Sequence, residues 1–445
     1  MASALLSKLK NTIVQFLAEE YTAFMPRFLQ LCHPAFIRLF FRMYRLFRSD
    51  PRCSVINLLK TAWFTTGEER VVRHDGMLVY SSFLPPIPSK AADQVLRSMD
   101  DSDGKGLFEA MVTGKRTAPI SMYVAVTESC PYRCQHCSAI GRRHVPDLTT
   151  QDMKTLLRDL QDMGTAIIGL TGGEPLVRND LCELISSIDD RSMAILFTSG
   201  FGLTREKAHA LKDAGLFAVG ISLDSADAAT MDARRGHAGA FGQAVNAVKH
   251  CRAAGLYTMT QTVAGRDSIR TGKLLDIVRL SRDIGAQEVR ILENMPSGRL
   301  SKITPDRILT SDERAALRQF HADMNKRKGF PKVAVFAHTE DATRFGCGAG
   351  TQHSYIDASG NLYPCDFVPL AFGNIRERPI AALWKEMHRA IGTSRKTCMV
   401  MELYAKKLLA NIDSLPAEPQ TSHDIITRLD TMDTMPGFYQ RLLGK

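Results

Sequence analysis

Residues Thr127-Glu128-Ser129-Cys130-Pro131-Tyr132-Arg133-Cys134-Gln135-His136-Cys137 directly follow an apolar run at 121–126. Three thiols spaced four and then three residues apart, on one loop after a strand candidate, can converge on a single inorganic centre. A four-iron cube with three protein ligands keeps one iron open, and an open iron serves chemistry rather than structure. The alternative is a zinc knuckle, which needs a fourth ligand. His136 adjoins a ligand and is not at ligand spacing, which leaves His144 as that reading's candidate.

Outward from the loop, short apolar runs alternate with helical patterns. Runs at 121–126, 165–170, 193–198, 216–223, 256–263 and 287–292 read as strands, with helical patterns at 150–163, 179–188, 204–214, 242–254 and 271–284. This alternation predicts a parallel sheet wrapped by helices. A curved, incomplete barrel and an open doubly wound sheet both satisfy it. In either, the active site lies at the C-terminal strand ends.

Further motifs fall at those ends in order. Thr171-Gly172-Gly173-Glu174-Pro175 ends the second run, Thr198-Ser199-Gly200 follows the third, and Ile221-Ser222-Leu223-Asp224 closes the fourth. Ser222 and Asp224 alternate with apolar neighbours, so both can point to one face. Over roughly residues 120–300 this series resembles the radical S-adenosylmethionine superfamily. The resemblance implies an α/β fold, a partial (βα)6 TIM-like barrel. It implies a 4Fe-4S cluster on Cys130, Cys134 and Cys137, and S-adenosylmethionine held by Gly172, Gly173, Glu174, Pro175, Ser222 and Asp224. Two glycines let backbone come close to a ligand, and the glutamate offers an anion to the methionine ammonium. The implied reaction is reductive cleavage to methionine and a 5′-deoxyadenosyl radical, which takes hydrogen from a substrate. A reducing partner such as flavodoxin or ferredoxin is then required. Gln261, Arg290, Glu293 and Asn294, on the later strand ends, are candidate gatekeepers.

A second group of cysteines lies downstream. The run Asp357-Ala358-Ser359-Gly360-Asn361 between two short apolar stretches predicts a hairpin that brings Cys347 and Cys365 together. The segment resembles the opening half of the SPASM or twitch extension, which implies an auxiliary iron–sulfur cluster. Cys398 stands where the later cysteines should begin, but Met401 occupies the second position of the expected pair, and no cysteine follows. Three ligands are thus offered, Cys347, Cys365 and Cys398. A non-cysteine group completes the site, or one iron stays open; the alternative is a metal-free hairpin with buried thiols. Cys32, Cys53, Cys182 and Cys251 have no partners at ligand spacing and read as core or incidental thiols.

The whole chain has 445 residues, 44% hydrophobic and 23% charged, which is ordinary for a globular protein. No stretch is long and apolar enough to span a membrane, no secretory signal is legible, and ten unevenly spaced cysteines do not form a disulfide framework. The expected location is cytoplasmic, with peripheral contact at the inner membrane surface. The net charge is +10, and within 1–60 Lys8, Lys10, Arg27, Arg38, Arg42, Arg45, Arg48, Arg52 and Lys60 outnumber Glu19, Glu20 and Asp50. An amphipathic helix between Pro34 and Pro51, with Phe36, Phe40, Phe41 and Phe47, suits an anionic membrane surface or packing against the barrel. The organisation reads as a basic helical region at 1–118, a core at 119–335, an auxiliary-cluster unit at 336–400 and a tail at 401–445. A lipid or other membrane-associated molecule is the first substrate reading, a peptide or protein side chain the second. No nucleic-acid partner is expected. A non-catalytic electron carrier is the competing class, and the Gly-Gly-Glu-Pro motif speaks against it.

Overall fold

Every apolar run of the central region is a strand, and the helices between them cover one side of the sheet. The structure is a computed structural model that describes residues 33–48, 50, 54–56, 58–59, 68–81, 83–102, 104, 106–139, 146–410, 412, 414–429 and 435–443. Lys8, Lys10, Arg27, Arg52, Lys60, Glu19, Glu20, Cys32, Cys53 and His144 lie outside the described residues.

Helix α1 (Pro34–Phe47), the ribbon β1 (Val72–His74) and β2 (Met77–Val79), and helices α2 (Lys90–Arg97) and α3 (Leu107–Thr113) precede the main sheet. The anticipated strands are β3 (Ser121–Thr127), β4 (Ile167–Gly172), β5 (Met193–Thr198), β6 (Ala218–Ser222), β7 (Tyr257–Ala264) and β8 (Glu288–Glu293), each parallel to the next. Between them run α4 (Thr150–Met163), α5 (Leu181–Ser186), α6 (Arg205–Asp213), α7 (Ala228–Arg235), α8 (Ala240–Ala253), α9 (Arg266–Arg270) and α10 (Lys273–Asp283). Then follow α11 (Ser311–Lys326), β9 (Lys332–Val335), α12 (Phe336–Thr339), β10 (His353–Ile356), β11 (Leu362–Tyr363), α13 (Ile380–Ile391), α14 (Met399–Ala405), α15 (Pro419–Ile426) and α16 (Gly437–Leu442).

The sheet runs β11-β10-β3-β4-β5-β6-β7-β8-β9, a partial barrel with β11 and β9 at its edges. Two additions exceed the sequence reading. Strand β9 lies parallel on β8, and β10 lies parallel on β3 with His353 opposite Ser121. The cysteine-flanked hairpin is therefore an extension of the core sheet. Strand alternation sorts the two faces. Met122, Val124, Ile168, Leu170, Leu196 and Ile221 pack with the helix layer, while Tyr123, Ile195 and Phe197 belong to the opposite face. A Cβ on Gly169 would come within 2.4 Å of the Tyr123 ring, and one on Gly220 within 2.8 Å of Phe197. These two glycines make room for the aromatic rings that furnish that face.

Helix α4 shows why the helical patterns hold. Thr149 and Asp152 form a capping box, Gly164 ends the helix at φ 110°, and Met153, Leu156, Leu157 and Leu160 form its buried stripe. Such a cap contributes about 1 kcal/mol, so burial of the stripe stabilises the helix more than the cap does.

Helix α1 forms where the Pro34–Pro51 pattern placed it, but most of its apolar stripe faces protein. Phe47 is buried with its ring edge-on to Phe108, near Tyr439 and Leu442 of α16, and Phe40 joins that cluster. Phe36 meets Tyr80 edge-on. Phe41 and Ile37 remain exposed, at 54% and 40%. Cys251 is fully buried on α8, where desolvation pushes its thiol up to about 12, and Cys182 packs at the core margin. Among the described residues no helix is long and apolar enough to cross a membrane.

Candidate active site

The cysteine loop leaves the C-terminal end of β3 and is held by backbone from three directions. The end of α7 supplies carbonyls: Arg133 N–H donates to Arg235 O at 3.0 Å, and Gln135 N–H to Arg234 O at 2.9 Å. Arg299 donates its backbone N–H to Cys137 O at 2.9 Å, and its guanidinium to Arg133 O at 2.7 Å and Cys134 O at 3.0 Å. The third support is the glycine turn after β4. There Gly173 N–H donates to Thr127 O at 2.7 Å and Glu174 N–H to Ser129 O at 2.8 Å.

That turn explains its own composition. A Cβ on Gly172, whose φ is 129°, would lie 2.3 Å from Thr127 O, and one on Gly173 would lie 2.2 Å from Ser129 O. Glu174 lines the cavity and is also engaged within the protein. Its carboxylate is buried and accepts hydrogen bonds from Thr198 Oγ1 (2.6 Å), Ser199 N (2.7 Å), Ser199 Oγ (2.5 Å) and Leu176 N (3.1 Å). With these four donors the side chain ties the turn to the end of β5. Gly172 and Gly173 can line the neighbouring cavity with backbone alone. Thr198-Ser199-Gly200 thus acts as the clamp on this glutamate.

Asp224 is likewise engaged within the protein. Its Oδ2 pairs with Arg235 at 2.5 Å and lies 3.4 Å from His136 Nε2, and its Oδ1 accepts from Val263 N. Burial would raise the Asp224 carboxyl, but Arg235, His136 and Arg234 overcome it and hold the group down at about 2. Arg235 also reaches Cys134 Sγ at 3.6 Å. Ser222 Oγ accepts a long bond from Gln261 Nε2 at 3.4 Å.

The second trio of cysteines meets as the hairpin reading anticipates. Its neighbour Cys398, with the backbone N–H groups of Met399 and Ala349, draws Cys347 below its ordinary thiol value. Cys365 Sγ lies 3.4 Å from Asp366, which pairs with His353 Nε2 at 3.2 Å. Burial, then Cys347 and Glu293, push the nearby Glu340 carboxyl well above its ordinary value.

Both trios open on one cavity of about 610 Å³, whose wall also includes Gly172, Gly173, Ser222, Asp224, Gln261, Arg290 and Glu293. Among the gatekeepers, Asn294 is a correction. Its amide turns to Arg307 O at 3.4 Å, and it is absent from the cavity wall.

A model of the radical S-adenosylmethionine superfamily matches residues 124–271, and one of an iron–sulfur cluster-binding domain, SPASM, matches 347–400. The mycofactocin maturase MftC of Mycobacterium ulcerans is 31% identical over 258 residues, 56% of this chain and 69% of that protein. The chain belongs to the radical S-adenosylmethionine superfamily. An AdoMet-dependent heme synthase of Nitratidesulfovibrio vulgaris is 29% identical over 286 residues, 59% of this chain and 77% of its own. A PqqA peptide cyclase of Streptomyces rochei is 29% identical over 299 residues, covering 63% and 81%. In fold the chain is similar to Streptococcus suis SuiB bound to its precursor peptide, with a TM-score of 0.54 and 16% identity over 65% of this chain and 70% of that one. The protein is thus a radical enzyme using a 4Fe-4S cluster, S-adenosylmethionine and auxiliary iron–sulfur chemistry.

The donor sets suit such clusters better than a single ion. Tetrahedral zinc brings sulfurs to ~3.8 Å of one another. Neither cysteine trio gathers its three sulfurs within 4.8 Å. His136 faces Asp224, and His144, the candidate of the zinc reading, lies outside the described residues.

Proposed function

We propose that Cys130, Cys134 and Cys137 hold the 4Fe-4S cluster, and that Cys347, Cys365 and Cys398 hold an auxiliary one. The Gly172–Pro175 turn and Ser222 would seat S-adenosylmethionine, with Glu174 and Asp224 fixing the walls of that seat. The observation that carries this reading is the single cavity onto which both trios and the glycine turn open. When bound, a reduced cluster of this kind supplies the electron that cleaves S-adenosylmethionine, yielding a carbon radical that takes a hydrogen atom from substrate.

The chain's own residues orient and shield. Arg235 is neutralised by Asp224, and it brings an N–H donor to the Cys134 sulfur, where such contacts tune a centre. Tyr123 and Phe197, 4.9 Å apart, give the cavity an apolar wall that excludes water. The segments 1–118, 119–335, 336–400 and 401–445 serve as support, core, auxiliary unit and tail. A net charge of +10 favours an acidic one-electron carrier such as flavodoxin or ferredoxin.

For the substrate we favour a peptide. The peptide cyclase carries that sense in its name, and SuiB was solved with a precursor peptide. A lipid reading rests on exposed Ile37 and Phe41 beside Arg38 and Arg45, and the inward packing of Phe36, Phe40 and Phe47 takes away much of its support.

Anaerobically reconstituted protein with dithionite is expected to form 5′-deoxyadenosine from S-adenosylmethionine. Wild type that holds its cluster yet yields no product would sink the assignment. Cys398→Ala is expected to lower iron and sulfide per chain while leaving that cleavage in place. An unchanged iron count would mean a metal-free hairpin.

A further inference from the structure

The buried arginines of the described residues are Arg70, Arg116, Arg235, Arg290, Arg344 and Arg395. Five have strong acceptors. Arg235 pairs with Asp224, Arg344 with Glu68 and Arg395 with Glu402, while Arg70 and Arg116 donate to backbone carbonyls. Arg290 is the exception. It is 2% exposed, its Nε has no hydrogen-bond partner, and its one polar contact is Nη2 to the Tyr123 hydroxyl at 3.4 Å. Around it stand the rings of Phe197, Phe83 and Phe336, at 4.9, 5.2 and 5.6 Å. Cation–π attraction recovers only part of the hydration that a buried guanidinium gives up.

No carboxylate among the described residues forms an ion pair with Arg290, and most acids of the cavity are engaged elsewhere. Glu69 is held by Lys332, Asp224 by Arg235, Glu293 by Arg314, Asp366 by His353, and Glu174 by its four donors. A guanidinium in the wall of a cavity, caged by rings and short of an acceptor, is built for an anion that arrives with a ligand.

We propose that Arg290, with Tyr123, binds a carboxylate of the substrate, so that the substrate class is one bearing a carboxylate next to an apolar or aromatic group. One guanidinium among so many acids suits a single negative charge and disfavours a phosphate dianion. The inference rests on the cavity being the substrate site. Its test, however, needs no cleavage of S-adenosylmethionine.

Reconstituted full-length protein is titrated calorimetrically with benzoate, with its isosteric amide benzamide, and with inorganic phosphate. Wild type is expected to prefer benzoate by about 10- to 100-fold. Arg290→Gln should erase that preference, and Arg290→Lys, which keeps the charge but not the fork, should retain part of it. Absence of the preference in wild type, its persistence in Arg290→Gln, or tighter binding of phosphate would each overturn the proposal. Titration with S-adenosylmethionine covers the other source of a carboxylate. If Arg290→Gln weakens that cofactor by the same factor, the residue serves the cofactor and the proposal fails. The wild-type comparison of benzoate with benzamide stands even if a variant does not fold.

Discussion

Cys134→Ala is expected to abolish formation of 5′-deoxyadenosine, a loss on the order of 10³-fold or more, while the chain stays folded. The two parts of that expectation have separate causes. Two thiols cannot hold a four-iron centre in place of three, and the reaction has no other route to its electron. The fold should survive because the loop is held by main chain rather than by this sulfur. Arg133 N–H, Gln135 N–H, Cys134 O and Cys137 O all keep their partners on α7 and Arg299 when the side chain is cut back. Arg235 loses a sulfur contact but keeps Asp224. Thermal melting, iron content and product chromatography on one preparation decide the matter. Cleavage that persists in Cys134→Ala would show that the centre is not held as proposed. Cys251→Ala is the control: that thiol lies in the core on α8, so its loss should touch stability, by about 1 kcal/mol, and leave cleavage alone.

The central strands were legible because β5 and β6 are buried along their whole length, which writes an unbroken apolar run into the sequence. Strand β9 was not, since its four residues begin with Lys332. The Lys332 ammonium is buried against Glu69 and two carbonyls, a pairing that spans more than 250 residues. The hairpin at Cys347 and Cys365 was legible from its turn. Its pairing with β3 rests on register with Ser121, whose hydroxyl meets His353 Nδ1 at 2.9 Å, a contact no local pattern announces.

The candidate site divides in the same way. Spacing alone was enough to single out Cys130, Cys134 and Cys137, because the three share one loop. Glu174 was read as an anion for a ligand, and its donors Thr198 and Ser199 were not foreseen, since they come from the next strand end and a sequence shows residues without their direction. Arg235 was not singled out at all, since Asp224 and Cys134 are brought to it only by the docking of α7 on the loop. Asn294 follows Glu293 in the chain but turns to Arg307, away from the cavity that Glu293 lines.

Gly173→Ala should cut cleavage by at least about tenfold and lower stability by about 1–3 kcal/mol, through a single methyl group. The added Cβ would stand 2.2 Å from Ser129 O and 2.7 Å from Glu128 O, both backbone atoms of the segment leading into Cys130. No side chain can swing aside to relieve this, so the turn or the cysteine loop must move. Movement there breaks the bonds from Gly173 N–H to Thr127 O and from Glu174 N–H to Ser129 O. It also pulls on a carboxylate whose four donors leave it no slack. Gly173 is the informative choice because its φ is not in the left-handed region, unlike Gly172 at 129°, so backbone strain is not confounded with the clash. Gly202→Ala provides the contrast. Its φ is 63° but nothing lies within 4 Å of the added carbon, so it should lose about 1 kcal/mol and keep its chemistry. Cleavage rates and melting temperatures of the two variants separate spacing from flexibility. Equal cleavage in both would mean that the cysteine loop tolerates displacement, and that the glycine turn is not what sets the distance between loop and cofactor seat.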